Sequence, residues 1–365
     1  MTDFPFIIWL DHEFAPGNPL LGGKFSNLAK MLAAGFSVPP GFGVSTAAYH
    51  HFMDQAGLAA EATSLLAAGR SMASADIKSK ASDMVATIMS QPLPSDLETA
   101  IRHNYALLEE RVGQKNVPVA VRSSGELEDL TGASFAGQYD TYLWIFGADS
   151  VLHHIRMCWA SMFGDAVLSY RGGVQEAGGR QDVGICAGIQ QMVEARAAGV
   201  MFTLDPLNGD RSKVAIEACW GLGEGVVKGD VAPSRFTIDK VTFEVIKRQI
   251  VSQLKEYAFD TKTGAVGLMP LAAERQDNAC IVDKEAVNLA KLGKHIEQCQ
   301  SAPQDIEWAI DQQRDIKVLQ VRPETVWSQR ERSGLVSDVK SPVDHVLLRL
   351  SGVRVAKPPS EGGQP

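Results

Sequence analysis

Apolar residues recur along this chain at two periods, and together they predict a mixed α and β protein. The stretch SNLAKMLAAG reads as a helix closed by Gly35. Leu97, Ile101, Tyr105 and Leu108 lie at helical spacing, which predicts a helix with those four in the core. Ser95 followed by Glu98 is a capping-box signal at its start. Further helical patterns run from about Ser150 to Tyr170 and from Asp283 to Gln298, the latter with Val287, Leu289, Leu292 and Ile296 on its buried side. Between them, Val117 to Tyr142 and the segments VGICAGIQQMV, GVMFTLDP, KVAIEACWGLGEGVV and SRFTIDK are β-rich. VPPGFGVS reads as a rigid turn. Helices and strands interleave without a regular βαβ period, so the expected class is α+β and not a doubly wound sheet.

The sharpest pattern stands near the C-terminal end, in DIEWAIDQQRDIKVLQVRPETVW. Side chains of a strand alternate between faces, so Asp305 and Glu307 share one face while Ile306, Trp308 and Ile310 share the other. Ile316 to Arg322 is again β-rich, and the polar run between the two segments predicts a hairpin. With a turn centred on Gln313 and Arg314, Asp305 faces Arg322 and Glu307 faces Gln320. Four polar groups then converge on one patch. Taken alone, the patch fits an exposed cross-strand ion pair as well as a binding site.

Composition narrows the partners. The net charge of −8 over 365 residues gives no reason to expect nucleic acid or an anionic membrane as partner. Five widely spaced cysteines form no C-x-x-C pair, so reduced thiols are expected, not a disulfide frame or a zinc site. MTDFPFIIWLDHE lacks a basic n-region and a cleavage-like site, and no stretch is long enough to span a bilayer. A cytoplasmic protein is expected.

Three short motifs carry candidate chemistry. GGK, Gly22 to Lys24, stands directly before a helix, where backbone N–H groups at the helix start and an ammonium can cradle phosphate. AVRSS sets Arg122 in an apolar strand, and arginine matches phosphate oxygens with its fork of donors. GASFAGQ, Gly132 to Gln138, is a small, glycine-containing loop of the kind that lies over a triphosphate. Each motif alone is equally compatible with a turn or a structural ion pair.

In combination and in this order, GGK, VPPGFGVS, VAVRSS…EDLTGASFAGQYDTYL, GVMFTLDP, GLGEGVVKG and DIEWAI…VLQVRPETV resemble the ATP-grasp nucleotide-binding region of the phosphoenolpyruvate synthase and pyruvate phosphate dikinase family. The resemblance runs from about Leu20 to Trp327 and implies an ATP-grasp fold, two lobes sandwiching ATP. The lobes are expected at 1–185 and 186–330, with 331–365 a tail that starts a further, swivelling domain. The resemblance gives Lys24 and Arg122 the ATP phosphates, and Gly137 and Thr141 the glycine-rich phosphate lid. Gln190, Met192 and Val193 match the strand at the adenine edge. Glu307 and Gln320 look like ligands for Mg2+ (or Mn2+), flanked by Asp305 and by Arg322, which reaches the transferring phosphate. On this reading Lys24, Arg122 and Arg322 are the catalytic set, and a hard cation that keeps several waters suits the hairpin face.

The family also implies a partner. Its phosphoryl-carrying histidine sits in a T-C-H-A-like loop, and none of the eight histidines here, His345 included, has that setting. The histidine domain is therefore expected on a partner subunit, with ATP cleaved to AMP and phosphate. A separate ATP-binding chain of this size is similar to the arrangement in phenylphosphate synthase, which implies phenol as final acceptor. The alternatives are a split phosphoenolpyruvate synthase or other small-molecule dikinase, and a non-catalytic nucleotide-sensing module.

Overall fold

The computed structural model describes residues 5–68, 74–125, 140–164 and 184–327. Residues up to Thr325 form one compact unit; a second, Val326–Pro365, is described only at Val326 and Trp327. The expected tail, 331–365, thus lies outside the described residues, as does Gly137.

The first sheet contains β1 (Ile7–Trp9), β2 (Gly41–Val44), β3 (Val119–Gly125), β4 (Thr141–Ile145) and β5 (Ile185–Gln191). Its order is β1-β2-β5-β3-β4, every neighbouring pair antiparallel. Among the helices beside it are α1 (Gly22–Ala33), α2 (Thr46–Gln55), α3 (Ala59–Ala68), α4 (Ser74–Ser90), α5 (Ser95–Val112) and α6 (Ala148–Ala160). Leu97, Ile101, Tyr105 and Leu108 of α5 are buried, as their spacing predicts, together with Phe52 of α2 and Ile155 and Trp159 of α6.

After β5 the chain crosses to a second sheet through residues 192–194. The strands that follow are β6 (Ala195–Phe202), β7 (Lys213–Trp220), β8 (Ser234–Asp239), β9 (Val245–Gln249), the β10 (Lys255–Asp260) and β11 (Ala265–Pro270) hairpin, β12 (Gln304–Asp311) and β13 (Ile316–Pro323). The six-stranded order is β13-β12-β6-β7-β8-β9, again antiparallel, while β10 and β11 form a separate two-stranded sheet that touches the larger one's β7 end through a bridge between Tyr257 and Gly221. Three helices accompany it: α7 (Glu224–Lys228), α8 (Ala273–Gln276) and α9 (Asp283–Gln300). Helix α9 lays Ala286, Leu289, Ala290 and Ile296 into the same core as Ile306, Trp308, Ile310, Val318 and Val321. The α+β expectation holds.

Helix α1 belongs to the first region by sequence and to the second core by packing. Leu21, Phe25, Leu28 and Met31 join the cluster built by the hairpin strands and α9. Phe25 also lies against the first sheet: a Cβ on Gly188 of β5 would meet its ring carbons at 1.9 Å. The helix is therefore a wedge between the sheets, and Lys24 rides on its first turn.

Several local expectations are corrected. GFGV is strand β2 and not a turn, because its glycines permit a backbone approach that side chains would block. A Cβ on Gly41 would stand 2.4 Å from the Ile189 carbonyl oxygen, and one on Gly43 would stand 2.3 Å from Leu21. GGK forms the first turn of α1 instead of preceding it. Pro94, not Ser95, caps α5, with no capping box; Asp96 accepts from the Leu97 N–H and Glu98 turns to Arg102. Helix α6 ends at Ala160, followed by a 3-10 turn, and 165–170 lie outside the described residues. Val287 and Leu292 are half-buried, because the stripe of α9 that meets the sheet is centred on Ala286, Leu289, Ala290, Gly293 and Ile296. Strand β5 belongs wholly to the first sheet, and the chain passes between the sheets at 192–194. Cys158, Cys186, Cys219 and Cys280 are buried free thiols and Cys299 is exposed.

Candidate functional site

The hairpin forms in the register read from the sequence: Asp305 opposite Arg322, and Glu307 opposite Gln320. Ile306, Trp308 and Ile310 are fully buried on the other face. One feature was not legible. The register shifts between Glu307 and Trp308, which pairs with Val318, so Leu319 is the extra residue of a β-bulge. Arg314, in the left-handed region at φ 70°, closes the turn.

The bulge creates the seat for Arg122. Its Nη1 donates to the Leu319 carbonyl oxygen at 2.8 Å, while Nη2 donates to Gln320 Oε1 at 2.8 Å and to Glu307 Oε2 at 3.3 Å. Arg122, from strand β3 of the first sheet, thus reaches the hairpin floor of the second. Arg122 is 9 % exposed and Gln320 3 %; at that depth charge interactions are screened far less than at a surface. The Arg122 Nε is buried without an acceptor among the described residues. Lys24 approaches from α1, its Nζ donating to the Ser123 carbonyl oxygen at 3.3 Å. The start of α1 is held in place by the same strand. The Phe25 N–H donates to Ser124 Oγ at 3.3 Å, and at Gly22 (φ 64°) a Cβ would stand 2.2 Å from the Ser124 carbonyl oxygen.

Asp305 and Arg322 pair beside Glu307 and Gln320 on the hairpin. Arg322 Nε donates to Asp305 Oδ2 at 2.9 Å, and Asp305 Oδ1 is buried without a donor among the described residues. Burial pushes the Asp305 carboxyl above the usual carboxylate range, and Arg322 pulls in the opposite direction. Arg322 lines the cleft; Asp305 lies behind it as the group that orients the guanidinium.

The cleft between the sheets has a volume of about 480 Å³. It is lined by Lys24, Arg122, Thr141, Gln190, Met192, Val193, Glu307, Gln320 and Arg322, nine of the eleven residues singled out from the sequence. Asp305 stands one layer back, and Gly137 is outside the described residues. Gln190 is buried, its Nε2 donating to the Pro39 carbonyl oxygen at 3.3 Å. Met192 and Val193 belong to the connector between the sheets. The sequence reading missed Asp140, Leu143, Glu224 and Lys228, which also line the cleft. Asp140 accepts from Tyr142 Oη at 2.7 Å, and burial with this carboxylate raises the Tyr142 pKa, so the phenol stays protonated. Glu224 and Lys228 pair at 2.9 Å on α7. Their only sequence signal was the GLGEGVVKG motif.

No group of three or more histidine, cysteine, aspartate or glutamate side chains converges among the described residues, so a protein-only metal cage is not present there. Glu307 and Gln320 offer one carboxylate and one amide oxygen that already converge on a single cationic nitrogen. That donor set fits a hard divalent ion that takes its remaining ligands from water and phosphate. No described helix is long and apolar enough to cross a membrane.

Comparison with known proteins identifies the family. Residues 18–341 match the family model described as "Pyruvate phosphate dikinase, AMP/ATP-binding domain". A probable phosphoenolpyruvate synthase of Staphylothermus marinus is 35% identical over 96% of this chain and 45% of its own length. The phosphoenolpyruvate synthases of Aeropyrum pernix and Aquifex aeolicus are each 34% identical, over 93% and 94% of this chain and 44% and 42% of their own lengths. The chain spans less than half the length of these relatives.

Proposed function

The chain belongs to the pyruvate phosphate dikinase AMP/ATP-binding domain family, with an ATP-grasp fold, and from that premise we propose that its cleft is the ATP site of a phosphotransferase of the phosphoenolpyruvate synthase type. The observation that carries the reading is the convergence of Arg122, Lys24 and the hairpin residues Glu307, Gln320 and Arg322, drawn from three distant stretches of sequence, on one cleft.

The residues divide the work as follows. Lys24 and Arg122 hold the phosphate oxygens, the lysine as a point charge and the arginine as a fork. Arg322, oriented by Asp305, faces the phosphate being transferred. Thr141, with Gly137, belongs to the lid side, and Gln190, Met192 and Val193 to the adenine edge. Glu307 and Gln320 hold Mg2+ or Mn2+, which when bound neutralises charge on the polyphosphate. Phosphoryl transfer asks chiefly for such positioning and charge neutralisation, because the protein has little covalent chemistry to perform. We place the lobe boundary at 192–194, where the chain passes between sheets.

In this reading ATP and water yield AMP and phosphate while one phosphoryl group goes to a histidine on a swivelling domain, supplied by a partner subunit or by another segment. One phosphoanhydride bond is broken by transfer to the histidine nitrogen and the other by water, which releases the phosphate. The final acceptor is pyruvate, since the relatives reported above are named phosphoenolpyruvate synthases; phenol was the expectation from chain organisation alone. The setting is cytoplasmic. The test pairs the protein and its histidine-bearing partner with ATP and either acceptor, and follows AMP. Pyruvate-dependent AMP and phosphoenolpyruvate support the assignment. AMP that appears with phenol and not with pyruvate transfers it to phenylphosphate synthase, and no AMP with either removes the dikinase reading.

A further inference from the structure

Arg122 occupies the two oxygens that the proposed function assigns to a metal ion. The Arg122 Nη2 atom is the shared donor to Gln320 Oε1 at 2.8 Å and Glu307 Oε2 at 3.3 Å, and these are the oxygens assigned to the metal in the proposed function, on which this inference rests. A divalent ion on that pair would meet a guanidinium already bonded to both ligands, with little water to screen the two charges: Arg122 is 9 % exposed. The guanidinium has an alternative that needs little motion. Its Nη1 is anchored on the bulge carbonyl of Leu319 at 2.8 Å, so rotation about that anchor moves Nη2 off the hairpin. Its Nε is a buried donor with no acceptor among the described residues. A buried, unsatisfied donor is costly and calls for a partner; a phosphate oxygen is the acceptor whose charge suits it.

We propose that Arg122 acts as a built-in counterion that holds the metal ligands closed until a polyphosphate draws it away. Metal and nucleotide then enter together, and Glu307 and Gln320 do not take up a free divalent ion on their own. Specificity follows as well: a ligand without phosphates has nothing to offer Arg122 and leaves the metal ligands covered.

Mn2+ binding followed by electron paramagnetic resonance tests this without reference to turnover. For the wild-type protein with Mn2+ alone, no Glu307-dependent binding is expected at micromolar Mn2+. Arg122→Ala should bind Mn2+ alone at least roughly tenfold more tightly, and adding Glu307→Gln to that variant should remove the gain. Circular dichroism establishes whether Arg122→Ala is folded, and Arg122→Gln serves as a second neutral replacement. Should the wild type bind micromolar Mn2+ alone in a Glu307-dependent way, the competition is refuted while the metal site stands; this arm needs no variant at Arg122. A third arm adds a non-hydrolysable ATP analogue to the wild type and to Glu307→Gln. If the bound Mn2+ spectrum depends on Glu307 there, yet neither Arg122 variant gains Mn2+ affinity, the competition alone fails. If Glu307 has no influence in any arm, the metal assignment fails with it.

Discussion

Gly188→Ala perturbs the site from behind, through the wedge helix. The added methyl would lie 1.9 Å from two ring carbons of Phe25, whereas ordinary contacts begin near 3.4 Å, so the ring must retreat by about 1.5 Å. Phe25 is fully buried in the core shared with the hairpin and has little room to move. Overpacking of this kind costs roughly 1–3 kcal/mol. The strain passes to Lys24, the preceding residue, whose helix start is tied to Ser124 through the Phe25 N–H. Both a loss of stability and a loss of nucleotide affinity are therefore expected. Phe25→Leu removes the atoms that clash and costs about 1–2 kcal/mol alone, through the void it leaves. The double variant should recover much of the loss, giving a coupling of about 1 kcal/mol or more in a double-mutant cycle. Urea denaturation measures the stabilities, and titration with an ATP analogue measures binding. Strict additivity of the two substitutions, or unchanged stability in Gly188→Ala, refutes the packing argument.

Three further outcomes follow from the floor of the cleft. Glu307→Ala should lower AMP formation at least about 100-fold while retaining measurable nucleotide binding, as read by turnover and calorimetry; unchanged turnover removes Glu307 from the mechanism. Arg322→Met leaves Asp305 buried without its ion partner and should cost roughly 1–3 kcal/mol at neutral pH. Asp305 is already raised by burial, and losing Arg322 raises it further, so the folded form binds the proton more tightly than the unfolded one. The variant's deficit is then least below the unfolded carboxylate pKa and grows as pH rises through the folded value; thermal melts from acidic to neutral pH check the sign, and a deficit that shrinks on raising the pH contradicts it.

Much of the site was legible because it rests on alternation. Ile306, Trp308 and Ile310 bury one face of β12, and that alone forces Asp305 and Glu307 to the other. The cross-strand partners then follow from the turn. The bulge at Leu319 was not legible, since its use is tertiary: it presents a carbonyl to an arginine 197 residues away in sequence. Strand β2 was missed for a related reason. Gly41 and Gly43 are turn formers locally, and only the proximity of Ile189, Leu21 and Cys186 shows that they serve close strand packing. Ser95 misled because Pro94 took the cap. Asp140 and Glu224 enter the cleft by folding, and short-range pattern alone did not single them out.

The most direct measurement is a calorimetric titration of a non-hydrolysable ATP analogue with Mg2+ into the wild type, Lys24→Met with Arg322→Met, and a control, Lys213→Met. Lys213 pairs with Asp239 at 2.9 Å and does not line the cleft. Two phosphate contacts at about 1.5–3 kcal/mol each predict a loss of at least roughly 100-fold in the paired variant, with the control close to wild type. Equal affinity across all three proteins would show that nucleotide phosphates do not bind on this hairpin floor.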